Sequence, residues 1–130
     1  MIIGYKPQFP DKILNGTKKH TIRTDAHDRW HAGMKMHQST GVRTKQYKLI
    51  RVDTCTGTQK ITIVWRYYKL VSSAYVYVDD KCIGSYTNQY PSGMLKVLAR
   101  NDGFDSVEDF FNWFNTDYIG KIIHWTDLRY

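Results

Sequence analysis

The run Lys60–Val71, KITIVWRYYKLV, followed almost at once by Ser73–Tyr86, SAYVYVDDKCIGSY, decides the fold class. Both segments are dominated by β-branched and aromatic residues, which fit a pleated, half-buried surface. Asp79-Asp80-Lys81 interrupts the second segment with turn chemistry, so it is predicted to fold back on itself. Upstream, QYKLIRVDT (Gln46–Thr54) reads as a further strand, with GVRTK (Gly41–Lys45) and CTGTQ (Cys55–Gln59) as turns. The span Gln46–Tyr86 is therefore expected to be a β meander. Outside it, MIIGY at the start, bounded by Pro7, MKMHQST (Met34–Thr40) and KIIHWTDL (Lys121–Leu128) read as strands.

Three short segments break this pattern. In PQFPDKILNG (Pro7–Gly16), Phe9, Ile13 and Leu14 fall on one helical face, Pro10 and Asp11 suit a first turn, and Gly16 suits the stop. Met94, Val97 and Leu98 mark a second helical stripe. Asp105 or Ser106 can cap a third helix that buries Val107, Phe110, Phe111 and Phe114. The expected architecture is α+β, a small and partly closed β-barrel with flanking short helices, in a single domain covering 1–130.

Composition supports one core and narrows the chemistry. The chain has 130 residues, 42% hydrophobic and 15% aromatic, and no repeat or linker divides it. Formal charge is +7, which raises the expectation of a polyanionic partner. Eleven of the twelve acids are aspartates, so Glu108 is the one glutamate available. Cys55 and Cys82 lack C-x-x-C spacing and read as free thiols. The chain shows no leader-like segment and no apolar run of bilayer length, from which a cytoplasmic location without membrane contact is expected.

The densest polar chemistry lies in NGTKKHTIRTD, Asn15–Asp25. Gly16, Lys18, Thr21, Ile22 and Arg23 stand there as G-x-K-x-x-T-I-R, after the first helix and before a loop ending at Gly33. This pattern resembles the ASCH domain, a family of the PUA-like superfold. The likeness extends to the NDGFDSVEDFF segment (Asn101–Phe111) and the closing GKIIHW strand (Gly120–Trp125). It implies a β-barrel with flanking helices, the motif displayed over a cleft, and binding of RNA or a modified nucleoside. One branch of small bacterial ASCH proteins hydrolyses the amide of N4-acetylcytidine. By that resemblance its catalytic lysine falls on Lys18, its threonine on Thr21, and its acidic partner on Asp102, where the family has glutamate.

Strand alternation puts Lys19, Thr21 and Arg23 on one side and Lys18, His20 and Ile22 on the other. Lys18 and Thr21 meet only if the chain bends after Gly16. With such a bend, a desolvated Lys18 can take the Thr21 proton, Thr21 can attack an amide carbonyl, Arg23 or backbone N–H groups can stabilise the oxyanion, and Asp102 can orient Lys18 or protonate the leaving amine. In a binding role, Lys18, Lys19, His20, Arg23 and Arg29 would contact phosphate or base edges, Thr21 would add a hydrogen bond, and Trp30 or one of the tyrosines would stack on a base. Nucleic-acid or nucleotide recognition is the first reading and amide hydrolysis the second.

His27 and His31 are spaced i and i+4 but lie in loop-like sequence with no third ligand, so they read as a basic rim with Arg29 and no metal is expected. Trp65, Trp113 and Trp125 sit in apolar periodic stretches and are expected in the core. No Gly-rich phosphate loop is present, which argues against ATP or NAD, and no cofactor is expected.

Overall fold

Two long strands joined by a left-handed turn organise the molecule. The computed structural model describes residues 1–130. In chain order its elements are β1 (Ile2–Tyr5), α1 (Pro10–Leu14), β2 (His20–Arg23), β3 (Lys35–Thr40), β4 (Lys48–Thr54), β5 (Gly57–Tyr68), β6 (Val71–Val78), β7 (Lys81–Thr87), β8 (Tyr90–Pro91), α2 (Leu95–Asn101), α3 (Val107–Trp113) and β9 (Tyr118–His124). β5 and β6 pair antiparallel from Ile61↔Val78 to Tyr68↔Val71. At the β6–β7 turn Asp79 and Asp80 both take positive φ, 50° and 66°, as a tight hairpin turn of this hand requires. Alternation along these strands buries Ile61, Ile63, Ala74, Val76 and Val78.

Six strands in the order β2-β9-β5-β6-β7-β8 form one sheet, which curls into a half-barrel. A second sheet has the order β1-β3-β4, with β1 parallel to β3. The chain is thus a small α+β, barrel-like fold. The expected single meander over Gln46–Tyr86 is divided: β4 pairs with β3 in the small sheet, while β5 passes to the large one and β9 enters between β2 and β5. Periodicity identifies a strand but carries no information about its partner. Sheet edges therefore remain, and β4 blunts its own with Lys48 and an Arg51–Asp53 ion pair at 2.8 Å.

The core comprises 25 buried apolar residues. In α3 the stripe falls as read, with Val107, Phe110 and Phe111 buried and Phe114 buried at the C-cap; the Ser106 side chain accepts from the Asp109 N–H. In α2 the buried face is Leu95, Leu98 and Ala99, and Met94 and Val97 are exposed, because the helix is rotated from the expected stripe. Leu14 is likewise exposed, leaving Phe9 and Ile13 to anchor α1. Trp65 and Trp125 pack partly buried against the core, whereas Trp113 is 47% exposed. Cys55 is buried and Cys82 exposed, both free. No helix is long and apolar enough to cross a membrane.

Candidate ligand cavity

The bend that the motif needs lies between α1 and β2. Gly16 takes φ +82°, a left-handed conformation open to glycine, and turns the chain out of the helix. The Lys18 N–H then donates to the Lys12 carbonyl at 2.9 Å and the Lys19 N–H to the Asn101 carbonyl at 2.7 Å. Lys18 consequently precedes the strand and escapes its alternation. From His20 onward the chain pairs with β9, His20 opposite His124 and Arg23 opposite Lys121.

Lys18, Thr21, Arg23 and Asp102 line one cavity of about 490 Å³. Its rings come from Tyr5 and Phe9 near the start of the chain and from Phe104, Trp113, Phe114 and Tyr118 near its end. Asp102 is the C-cap of α2, its N–H bonded to the Leu98 carbonyl at 3.0 Å. Gly103 follows at φ +93°, and a Cβ there would stand 2.9 Å from Lys18 Cδ and 3.0 Å from Phe9 Cδ1. The absence of a side chain at 103 is what lets Lys18 lie against the Asp102 turn.

Within the cavity wall Lys18 is 2% exposed and its Nζ lies 3.2 Å from Asp102 Oδ1, while also donating to the Asp102 carbonyl. The same ammonium stands 4.7 Å from the centre of the Phe9 ring and 5.6 Å from that of Tyr5. Arg23 donates from Nε to Thr21 Oγ1 at 3.1 Å and from Nη2 to the Gly4 carbonyl at 2.7 Å, and it lies over the Tyr5 ring at 5.0 Å.

Burial pulls the Lys18 amine below its ordinary value; Asp102 opposes this, and the Arg23 and Lys12 charges reinforce it. The Tyr5 phenol is pushed up by burial, with the Arg23 charge and the neighbouring Thr21 side chain opposing, so it stays protonated and donates to Gln38 Oε1 at 2.7 Å. The wall therefore joins a buried lysine of weakened proton affinity, a threonine hydroxyl, a guanidinium and a carboxylate.

Several expected contact residues sit elsewhere. His20 is fully buried on the opposite face of β2, where its Nε2 lies 2.6 Å from the Tyr130 hydroxyl, so it offers no edge to a ligand in the cavity. Alternation along β2 dictates this, since Thr21 and Arg23 take the cavity side. Trp30 is 6% exposed and part of the core, and is not available to stack on a base. Its loop is folded inward by Asp25, which accepts the Arg29 and Trp30 N–H groups at 2.8 and 3.0 Å. Lys19, Arg29, His27 and His31 are absent from the cavity lining. The rings that do line it are not legible as a set, because they come from β1, the start of α1, the α2–α3 turn, the end of α3 and β9. Trp113, 47% exposed at the rim, replaces Trp30 as the accessible indole.

Compared with protein-family models, with curated proteins and with solved structures, the chain matches none of them.

Proposed function

We propose that the cavity binds the base of a modified nucleoside or nucleotide, free or within RNA, and that the fold is PUA-like, as the resemblance of G-x-K-x-x-T-I-R to the ASCH domain implies. The observation that carries the reading is the cavity itself: about 490 Å³, walled by six rings and closed on one side by Lys18, Thr21, Arg23 and Asp102. Ligand sites commonly combine an apolar wall with a few convergent polar groups, in volumes of roughly 300–1,000 Å³. Trp113, Tyr5 and Tyr118 can face a planar base, and the cationic wall suits a carbonyl or phosphate oxygen.

A second reading, hydrolysis of the N4-acyl group of N4-acetylcytidine, is favoured by the buried Lys18–Asp102 pair beside Thr21. In that reaction neutral Lys18 takes the Thr21 proton as Thr21 Oγ1 attacks the amide carbon, and Arg23 stabilises the oxyanion. The lysine then returns the proton to the departing amine. Water cleaves the resulting threonine ester, restoring Thr21 and releasing acetate.

Incubation of the protein with N4-acetylcytidine, free and within a short RNA, separates the readings. Calorimetry measures binding and chromatography measures acetyl loss, with Lys18→Ala and Thr21→Ala in parallel. Turnover lost in both variants makes the protein an amidohydrolase. Binding without turnover, weakened in Lys18→Ala, supports recognition alone. Neither binding nor turnover removes both readings.

A further inference from the structure

Behind the cavity wall runs a buried polar chain that the chemistry above does not use. Asp102 Oδ1, which faces Lys18, also lies 3.3 Å from His20 Nδ1. The contact is a close approach without hydrogen-bond geometry, and Nδ1 has no hydrogen-bond partner elsewhere. On the far side of the ring, His20 Nε2 is 2.6 Å from the Tyr130 hydroxyl, and that hydroxyl accepts from Asn101 Nδ2 at 3.1 Å. Tyr130 is held in place by its backbone: its N–H donates to Gln59 Oε1 at 3.0 Å, and its carbonyl accepts from Gln59 Nε2 at 2.9 Å. His124 adds a 3.0 Å contact to the same Gln59 Oε1.

Proton placement along this chain has one self-consistent direction. A carboxylate oxygen only accepts, so a bare lone pair on His20 Nδ1 would face another lone pair at 3.3 Å. Nδ1 therefore carries the ring proton, and Nε2 must accept from the Tyr130 O–H. That leaves the tyrosine oxygen free to accept from Asn101, as observed. A buried imidazole in this setting stays neutral, since burial lowers its proton affinity more than Asp102 raises it.

We infer that His20 and Tyr130 are positioning residues, forming a one-way polar relay, hydrogen-bonded from Asn101 to His20 and closed by the 3.3 Å approach of His20 Nδ1 to Asp102, that holds the carboxylate against Lys18. The motif residue His20 then acts from behind the wall, and Tyr130, distant in sequence, completes the site. Carboxylates and imidazoles oriented by such outer partners keep their geometry while the ligand side stays open. The relay's consequence for hydrolysis rests on the second reading above; its existence does not.

The test uses the ligand-free protein, so failure of the relay and failure of the nucleoside reading are separable. Nitrogen-15 NMR of the histidine rings near neutral pH is expected to show His20 with a proton on Nδ1 and a bare Nε2. An Nε2–H tautomer or an imidazolium overturns the relay, and this measurement needs no variant. Tyr130→Phe, which keeps the ring and removes the donor to Nε2, is expected to shift the His20 Nε2 signal while Asp102 keeps the proton on Nδ1, and to move the titration of the Lys18 side-chain carbon signal. The charged groups acting on Lys18 are Asp102, Arg23 and Lys12, all unchanged in that variant. If both signals keep their wild-type behaviour in folded Tyr130→Phe, the positioning role is refuted. If the tautomer is as expected and no nucleoside binds, the relay stands and the cavity's assignment falls.

Discussion

Two of the molecule's lysine–aspartate pairings, Lys18 with Asp102 and Lys121 with Asp25 and Asp28, are electrostatic opposites. Lys18 and Asp102 have side chains only 2% and 4% exposed, and burial drives the Lys18 amine toward its neutral form. Lys121 bridges Asp28 and Asp25, the latter at 3.1 Å, with its own side chain 20% exposed and that of Asp28 74% exposed. There the hydrogen bond to Asp28 raises the lysine above its ordinary value, and burial opposes it without prevailing. At Asp25 the backbone N–H groups of Arg29 and Trp30, with Lys121, overcome burial and hold the carboxyl at about 2. The same residue types thus make a desolvated pair in one place and a loop clasp in the other, and the degree to which the lysine is desolvated decides the sign of its shift.

The comparison breaks most directly by removing each ammonium without removing its packing. Lys18→Met should cost about 3–5 kcal/mol in urea unfolding, because the Asp102 carboxylate is left buried without its partner. A loss as small as that of a surface variant would show that Lys18 contributes nothing as a buried charge. Proton inventory gives the next largest effect. Burial pushes His124 down to about 3, with His20 and Arg129 adding to the shift. Because the folded value lies below the ordinary 6.5, its contribution is full above about pH 6.5 and is lost as pH falls toward 3. Stability should fall by about 1.4 kcal/mol per pH unit for each proton taken up on unfolding. His124→Gln should flatten that slope, as urea midpoints between pH 7 and pH 4 would reveal.

Gly103→Ala tests the wall more gently. The added methyl meets Lys18 and Phe9 at a positive φ, so about 1–3 kcal/mol should be lost and the Lys18 titration should move. An unchanged Lys18 signal would mean that the turn does not set its position. The smallest effect belongs to the clasp: Lys121→Met should change stability by less than about 1 kcal/mol. In carbon NMR titrations Lys18 should titrate below 10.5 and Lys121 above it; coincident midpoints would erase the distinction.

Legibility in the sequence followed the range of the interaction involved. The Asp79-Asp80 turn, the Gly16 stop and the α3 stripe are local, and each lies where its residues place it. The need for a bend between Lys18 and Thr21 was also readable, since alternation alone separates them. The α2 face was misjudged by about one residue: Leu95 and Ala99 are buried where Val97 was expected, and several apolar residues in a short helix fit more than one stripe. Trp30 looked like an exposed loop ring because nothing in its neighbourhood signals that Asp25 folds the loop onto the core.

From the sequence alone came the strand-rich α+β class, the three short helices and a concentration of reactive polar groups at Asn15–Asp25. These depend on side-chain period, backbone propensity and turn chemistry within a few residues. Tertiary structure alone decided that β4 leaves the meander, that β9 lies between β2 and β5, and that Lys18 meets Asp102 across 84 positions of chain. It also decided that His20 turns inward to Tyr130 and that Lys18 is almost fully desolvated while Lys121 is only partly so. Burial is a property of the whole packed molecule, so the sign of each lysine's shift was set only when the distant elements closed around it.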